Sequence, residues 1–256
     1  MTDAPNFLTI VNALALPPGA RVDARVPKKL LIEQGAPTTA DKRAIQDGID
    51  ELQWFAACKP ATIGVPAFAD ESREYLEIAV IGCAFRPGAK ASRLIELIHR
   101  AIPYPVLLIT TDESGLCVSA AQKRLAQNEA GRAVIEQVVI AKELRADAVD
   151  SAQLAFLQSL ALAQQPRGDL FALYAGWITR IEAVNAARLT GAFTASDDQT
   201  AIDRRREALD AHARLTKEIE GLRTKARREK TLSRRVDLNL EIQSREADLA
   251  AFIKQL

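Results

Sequence analysis

Asp70, Glu74, Glu77 and Lys123 are the residue types from which a divalent-metal nuclease is built. Two or three carboxylates hold magnesium, and a lysine near them serves the attacking water. The three acids lie on the approach to an apolar, β-branched run, Tyr75 to Phe85, and Lys123 follows a second strand-like run. The set departs from the common restriction-nuclease signature. Glu77-Ile78-Ala79 lacks the lysine two positions after the acid, so Lys123 would have to reach in from another strand. The plainer reading makes residues 70–74 a solvated turn and Glu77 a strand-edge residue.

Other chemistries are less well supplied. Cys58, Cys83 and Cys117 each sit among apolar residues, their number is odd, and no two form a Cys-x-x-Cys pair. They read as free buried thiols of a reducing compartment. The only histidines are His99 and His212, without a second histidine or a cysteine at metal-ligand spacing, which argues against zinc. His99 falls at the edge of an apolar helix face, as a surface or rim residue. A nucleophilic pair would need Cys83 or Cys117 brought beside it. Neither phosphate-binding glycine signature occurs, so nucleotide sites are not indicated and no cofactor or metal is expected.

Basic residues offer binding rather than catalysis. Lys123 and Arg124 end a strand and can contact phosphate or acidic partner residues. The densest cluster lies further on and includes Arg223, Lys225, Arg227, Arg228, Lys230, Arg234 and Arg235. No aromatic residue is interleaved with it, so base stacking there is not supported. The whole chain carries a formal charge of only +1, so any attraction for nucleic acid must be local.

The elements that must position these groups can be read from periodicity. Ile45, Ile49, Leu52 and Phe55 recur at helical spacing after a Thr38/Thr39 cap, predicting one helix up to Lys59-Pro60. Residues 62–65 read as a short strand. Tyr75 to Phe85 has the near-continuous apolar character of a central strand. Residues 90–102 are an amphipathic helix, followed by a hairpin about Asp112-Glu113-Ser114-Gly115 and a strand from Ala133 to Ala141. Ile78, Val80, Ile81, Leu107, Leu108 and Val118 are the expected sheet core. Helices follow over 148–163 and over 169–189, where Asp169 is the cap. Beyond a polar linker, Leu215, Ile219, Leu222 and Ala226 form one apolar seam. Leu238, Ile242, Leu249, Phe252 and Leu256 form a second. Two charged helices with such seams predict an antiparallel hairpin, its second helix capped by Ser233.

The expected fold class is therefore α+β: a mixed sheet with flanking helices, then helices and a C-terminal helical hairpin. The expected domains are 1–145, 146–199 and 200–256. No secretory signal is visible at the start and no apolar run is long enough for a membrane span, so a cytoplasmic protein is expected.

Several phrases, taken in order, carry a resemblance. They are Trp54 with Lys59-Pro60-Ala61-Thr62-Ile63, then Leu97-Ile98-His99-Arg100 through Leu108, then Ser119-Ala120-Ala121-Gln122-Lys123-Arg124. Ala186 to Phe193 and Glu229 to Ile242 complete the set. From about Thr39 to the C-terminus the chain resembles an uncharacterised bacterial family of unknown function, whose members are encoded beside helicases and DNA methyltransferases of restriction and phage-defence type. The family has no agreed catalytic residues to carry over. Its members often place a lysine near the end of the central strand, where this chain has Cys83-Ala84-Phe85-Arg86. The resemblance implies a non-catalytic accessory subunit docking on a helicase or methyltransferase partner. Direct DNA contact would run through the hairpin tip at Arg227, Arg228, Lys230, Arg234 and Arg235.

Overall fold

The structure, a computed structural model, describes residues 7–126, 133–145, 150–254 and 256. The chain divides into two compact units, Met1–Ile181 and Glu182–Leu256.

The first unit opens with α1 (Leu8–Ala13), β1 (Arg21–Arg25), α2 (Lys28–Gly35) and α3 (Thr39–Gly48). Thr38 is the cap of α3, its Oγ1 accepting the Asp41 N–H at 3.1 Å. The helix predicted to reach Pro60 stops at Gly48, and β2 (Ile49–Cys58) takes its place. Two register shifts in β2, at Ile49/Glu51 and at Trp54/Ala56, explain the misleading spacing. A bulge moves a residue onto the other face, so buried Ile49, Leu52 and Phe55 keep a three-residue spacing within a strand. Residues 62–65 are not a strand either. Pro60 starts a single turn, α4 (Pro60–Ile63), in which Thr62 Oγ1 accepts the Lys59 N–H at 2.9 Å. Gly64 ends that turn at φ 66°, where a side chain would be strained.

A two-stranded ribbon follows, β3 (Phe68–Ala69) with β4 (Glu74–Tyr75). Next come β5 (Ile78–Phe85), α5 (Ala91–Ala101), β6 (Val106–Asp112), β7 (Gly115–Leu125) and β8 (Ala133–Leu144). The six-stranded sheet has the order β1-β2-β5-β6-β7-β8. Only β5 and β6 are parallel, and α5 is the crossover such a pair requires. Every residue of β5 is buried, as its composition predicted. Ile78, Val80, Leu107, Leu108 and Val118 are fully enclosed, and Ile81 is nearly so. The mixed α+β fold is thus present.

Two further helices are α6 (Ser151–Ser159) and α7 (Leu170–Thr190). The start predicted for α6 at residue 148 lies outside the described residues. Asp169 Oδ1 accepts the Ala172 N–H at 2.7 Å, the predicted cap of α7. Tyr174 of α7 ties the sheet: its hydroxyl donates to Val106 O at 2.7 Å and accepts the Ala121 N–H at 2.8 Å.

The second unit contains α8 (Gln199–Arg228) and α9 (Leu232–Ile253), joined by residues 229–231. They pack as a hairpin along the predicted seams. Ile219, Ala226 and Ile242 are buried, with Leu222, Leu238 and Leu249 against them. Arg223–Glu246 at 2.7 Å and Arg245–Glu218 at 3.6 Å cross between the helices. Ser233 is not the cap of α9. Thr231 holds that position without a side-chain bond, and Glu229 instead accepts the Thr231 N–H at 2.8 Å.

Candidate functional site

The nuclease residues are not assembled into a site. Asp70 Oδ1 accepts the N–H groups of Ser72 and Arg73 and closes its own turn, which holds its carboxyl below the usual range. Glu74 is exposed on β4. Glu77 is ion-paired with Lys59 at 3.0 Å. Among the described residues no group of three or more His, Cys, Asp or Glu is placed to hold a metal.

Lys123 departs furthest from expectation. It points into the protein and is 4% exposed, rather than standing at the surface as a strand-end cation. Its Nζ donates to Ile102 O at 2.5 Å and to Tyr104 O at 2.8 Å. These carbonyls lie just past the end of α5, where a helix leaves acceptors unpaired. The lysine therefore fastens the turn after α5 to β7. Burial pulls its pKa from 10.5 down to about 7. Arg124, its neighbour, stays half-exposed and lies 3.8 Å from Glu136.

His99 is also internal rather than at a rim. It is fully buried, and its Nε2 bonds Ser119 Oγ at 3.0 Å. Burial first, and the charge of nearby Lys123 second, push it well below the ordinary imidazole range. Its other ring nitrogen, Nδ1, has no partner. Cys58 and Cys83 are buried, and burial raises both thiols, Cys58 to about 12. That is opposite to the shift a nucleophilic cysteine needs. Cys117 is half-buried.

The hairpin tip has the reverse character. Lys225, Arg227, Arg228, Lys230, Arg234 and Arg235 are all exposed. None of the six joins an ion pair among the described residues, although pairs form further along the same helices. A shallow cleft of about 580 Å³ opens there. Three bases, Lys225, Arg228 and Arg234, and three acids, Glu229, Asp237 and Glu241, line it. Glu229 is held below its usual range mainly by the Thr231 N–H. Arg227, Lys230 and Arg235 lie outside the cleft, so the tip keeps a net positive face.

Residues 14–249 match the family described as Domain of unknown function (DUF4391). The chain belongs to that family. None of the curated proteins and none of the solved structures matches it. The DUF4391 match takes in nearly all of the sheet unit and most of the hairpin.

One feature of this DUF4391 chain escaped the seam pattern. Leu232, Val236 and Leu240 of α9 are exposed by 66%, 49% and 59%. They recur every four residues and so share a face, turned away from the buried Ile242 seam. Their spacing was legible. Their exposure was not, because either stripe of α9 could have faced α8. No helix among the described residues is long and apolar enough to cross a membrane.

Proposed function

We propose that this protein is a non-catalytic accessory subunit that docks through its C-terminal hairpin on an acidic surface of a partner. The observation that carries this reading is the hairpin tip, where six cations stand exposed and without ion pairs among the described residues. Exposed charge that no ion pair engages is available for a ligand. The choice of partner, a helicase or DNA methyltransferase of a restriction or phage-defence system in the cytoplasm, rests on the sequence resemblance alone. Arg124 is a weaker second contact, because it already lies near Glu136.

The test is co-purification of the full chain with the products of its neighbouring genes. It compares wild type with a variant carrying Arg227→Glu, Arg228→Glu, Arg234→Glu and Arg235→Glu. These side chains lie off the seam, so the variant should keep its melting temperature and lose the partner. Retention of the partner at full affinity would remove the tip from the interface. A second reading, direct DNA binding, draws on the same unpaired cations. It predicts that the wild-type chain binds a DNA duplex with an affinity that falls steeply with salt, and that DNA competes with the protein partner. Magnesium-dependent DNA cleavage that disappears in Glu77→Ala would defeat both readings.

A further inference from the structure

The solvent face of α9 carries no charge along most of the helix. At about 100° per residue, an arc of about 140° centred near Val236 and Ala247 takes in ten positions from Leu232 to Ala251. Besides Leu232, Val236 and Leu240 they are serine, asparagine, glutamine and alanine, and all ten are exposed. Arg234, Arg235, Asp237, Glu241, Arg245, Glu246 and Asp248 all fall on the remainder of the helix. The exposed positions of α8 are the contrast: Asp203, Arg204, Arg214, Lys217, Glu220 and Arg227 among them are charged. A solvated helix has no physical need to keep one face free of charge for about 30 Å. A helix that packs on another does.

The distribution of size along the face identifies the occupant. Its large residues, Leu232, Val236 and Leu240, occupy the N-terminal half, and its small ones, Ala247 and Ala251, the C-terminal half. Two copies of α9 laid antiparallel place Leu232 on Ala251 of the second copy, Val236 on its Ala247 and Leu240 on its Gln243. All three pairs fall in one register, because each pair of numbers has the same sum. Two-fold symmetry then repeats each pair on the other side of the axis, which is the self-complementarity of an isologous interface. At the first two pairs large faces small, which lets the helices approach closely, and at the third Leu240 meets the glutamine's apolar stem. A parallel pairing would instead stack Leu232 on Leu232 and leave alanine facing alanine. One rim is complementary and the other is not. Arg235, which has no ion pair of its own among the described residues, comes within two residues of register with the second copy's Glu246, which also pairs with Arg223 of its own chain. On the opposite rim Asp237 approaches the second copy's Asp248, and both stay in water, where a like-charge approach costs little.

We propose that the charge-free face of α9 binds a second copy of this chain, with the two helices antiparallel and Val236 packed on Ala247 of the other copy. The dimer leaves the tip cations other than Arg235 at its outer ends and free to bind.

The test uses the full chain. Light scattering at micromolar concentration should give twice the 27.9 kDa of one chain. Val236→Glu buries a charge at two symmetric places and should raise the dimer dissociation constant about tenfold or more. Its circular dichroism and melting temperature should match wild type, because Val236 is half exposed and lies outside the buried seam of the hairpin. Register is read separately by cross-linking. Mixed Val236→Cys and Ala247→Cys variants should form a disulfide-linked dimer on mild oxidation, and Val236→Cys alone should not. A monomeric wild type overturns the proposal. So does a dimer that survives Val236→Glu, and so does self-linking of Val236→Cys, which would mean a parallel pair.

Discussion

The sheet unit and the hairpin hold the same residue types and use them in opposite ways. In the sheet unit the candidates for chemistry, exposed Glu74 excepted, are spent on structure. Lys123 holds two carbonyls, His99 holds Ser119, Glu77 holds Lys59, and Asp70 closes a turn. In the hairpin, six exposed cations form no ion pair among the described residues, and three large apolar side chains are exposed. A side chain already satisfied within the fold offers little to a ligand, whereas an unsatisfied one at the surface does. This contrast is what supports the proposal of binding on the hairpin, with the sheet unit serving stability.

The largest expected effect tests the sheet side. Val80 is fully buried in the middle of β5. Val80→Asp places an unpaired charge there, at a cost of several kcal/mol, and should unfold the sheet unit. Circular dichroism and thermal melting measure this, and a folded, cooperative variant would contradict the enclosed core.

A smaller effect separates a structural lysine from a catalytic one. The unfolded chain binds a proton on Lys123 below pH 10.5, and the folded protein does so only below about 7. Stability should therefore fall as pH drops from about 8.5 to 7, by on the order of 1 kcal/mol. Above that window ionisation of the cysteines in the unfolded chain opposes the trend, because burial raises their folded values. His99 continues the fall below its ordinary value of 6.5, since the folded state resists protonation there too. Urea titrations across pH should show both limbs. Lys123→Met should flatten the upper limb and weaken the lower one without removing it, because burial remains the main cause of the His99 shift.

The smallest effect sharpens the hairpin side. Arg223 and Glu246 form a pair that is about half exposed. Arg223→Ala should change stability by no more than about 0.5 kcal/mol, because water competes for both charges. A larger loss would mean that the hairpin's charges serve its fold after all.

Much of this architecture follows from the sequence. The central strand, the crossover helix, the β6–β7 turn, the Asp169 cap and the two seams of the hairpin all rest on local patterns: apolar period, turn chemistry and capping. Tertiary structure decided the rest. Helical spacing from Ile45 to Phe55 became a strand after Gly48 because pairing with β1 and β5, relieved by two bulges, outweighed the period. Lys123 and His99 follow the same logic. Their types suggested an exposed cation and a rim imidazole, but a side chain's partners come from distant parts of the chain. Ile102 O and Tyr104 O lie about twenty residues from Lys123, as Ser119 does from His99. In α9 the sequence supplies two apolar stripes of similar strength. Only packing against α8 determines that Ile242 is buried and Leu232, Val236 and Leu240 remain outside, because periodicity specifies a face and not what lies against it.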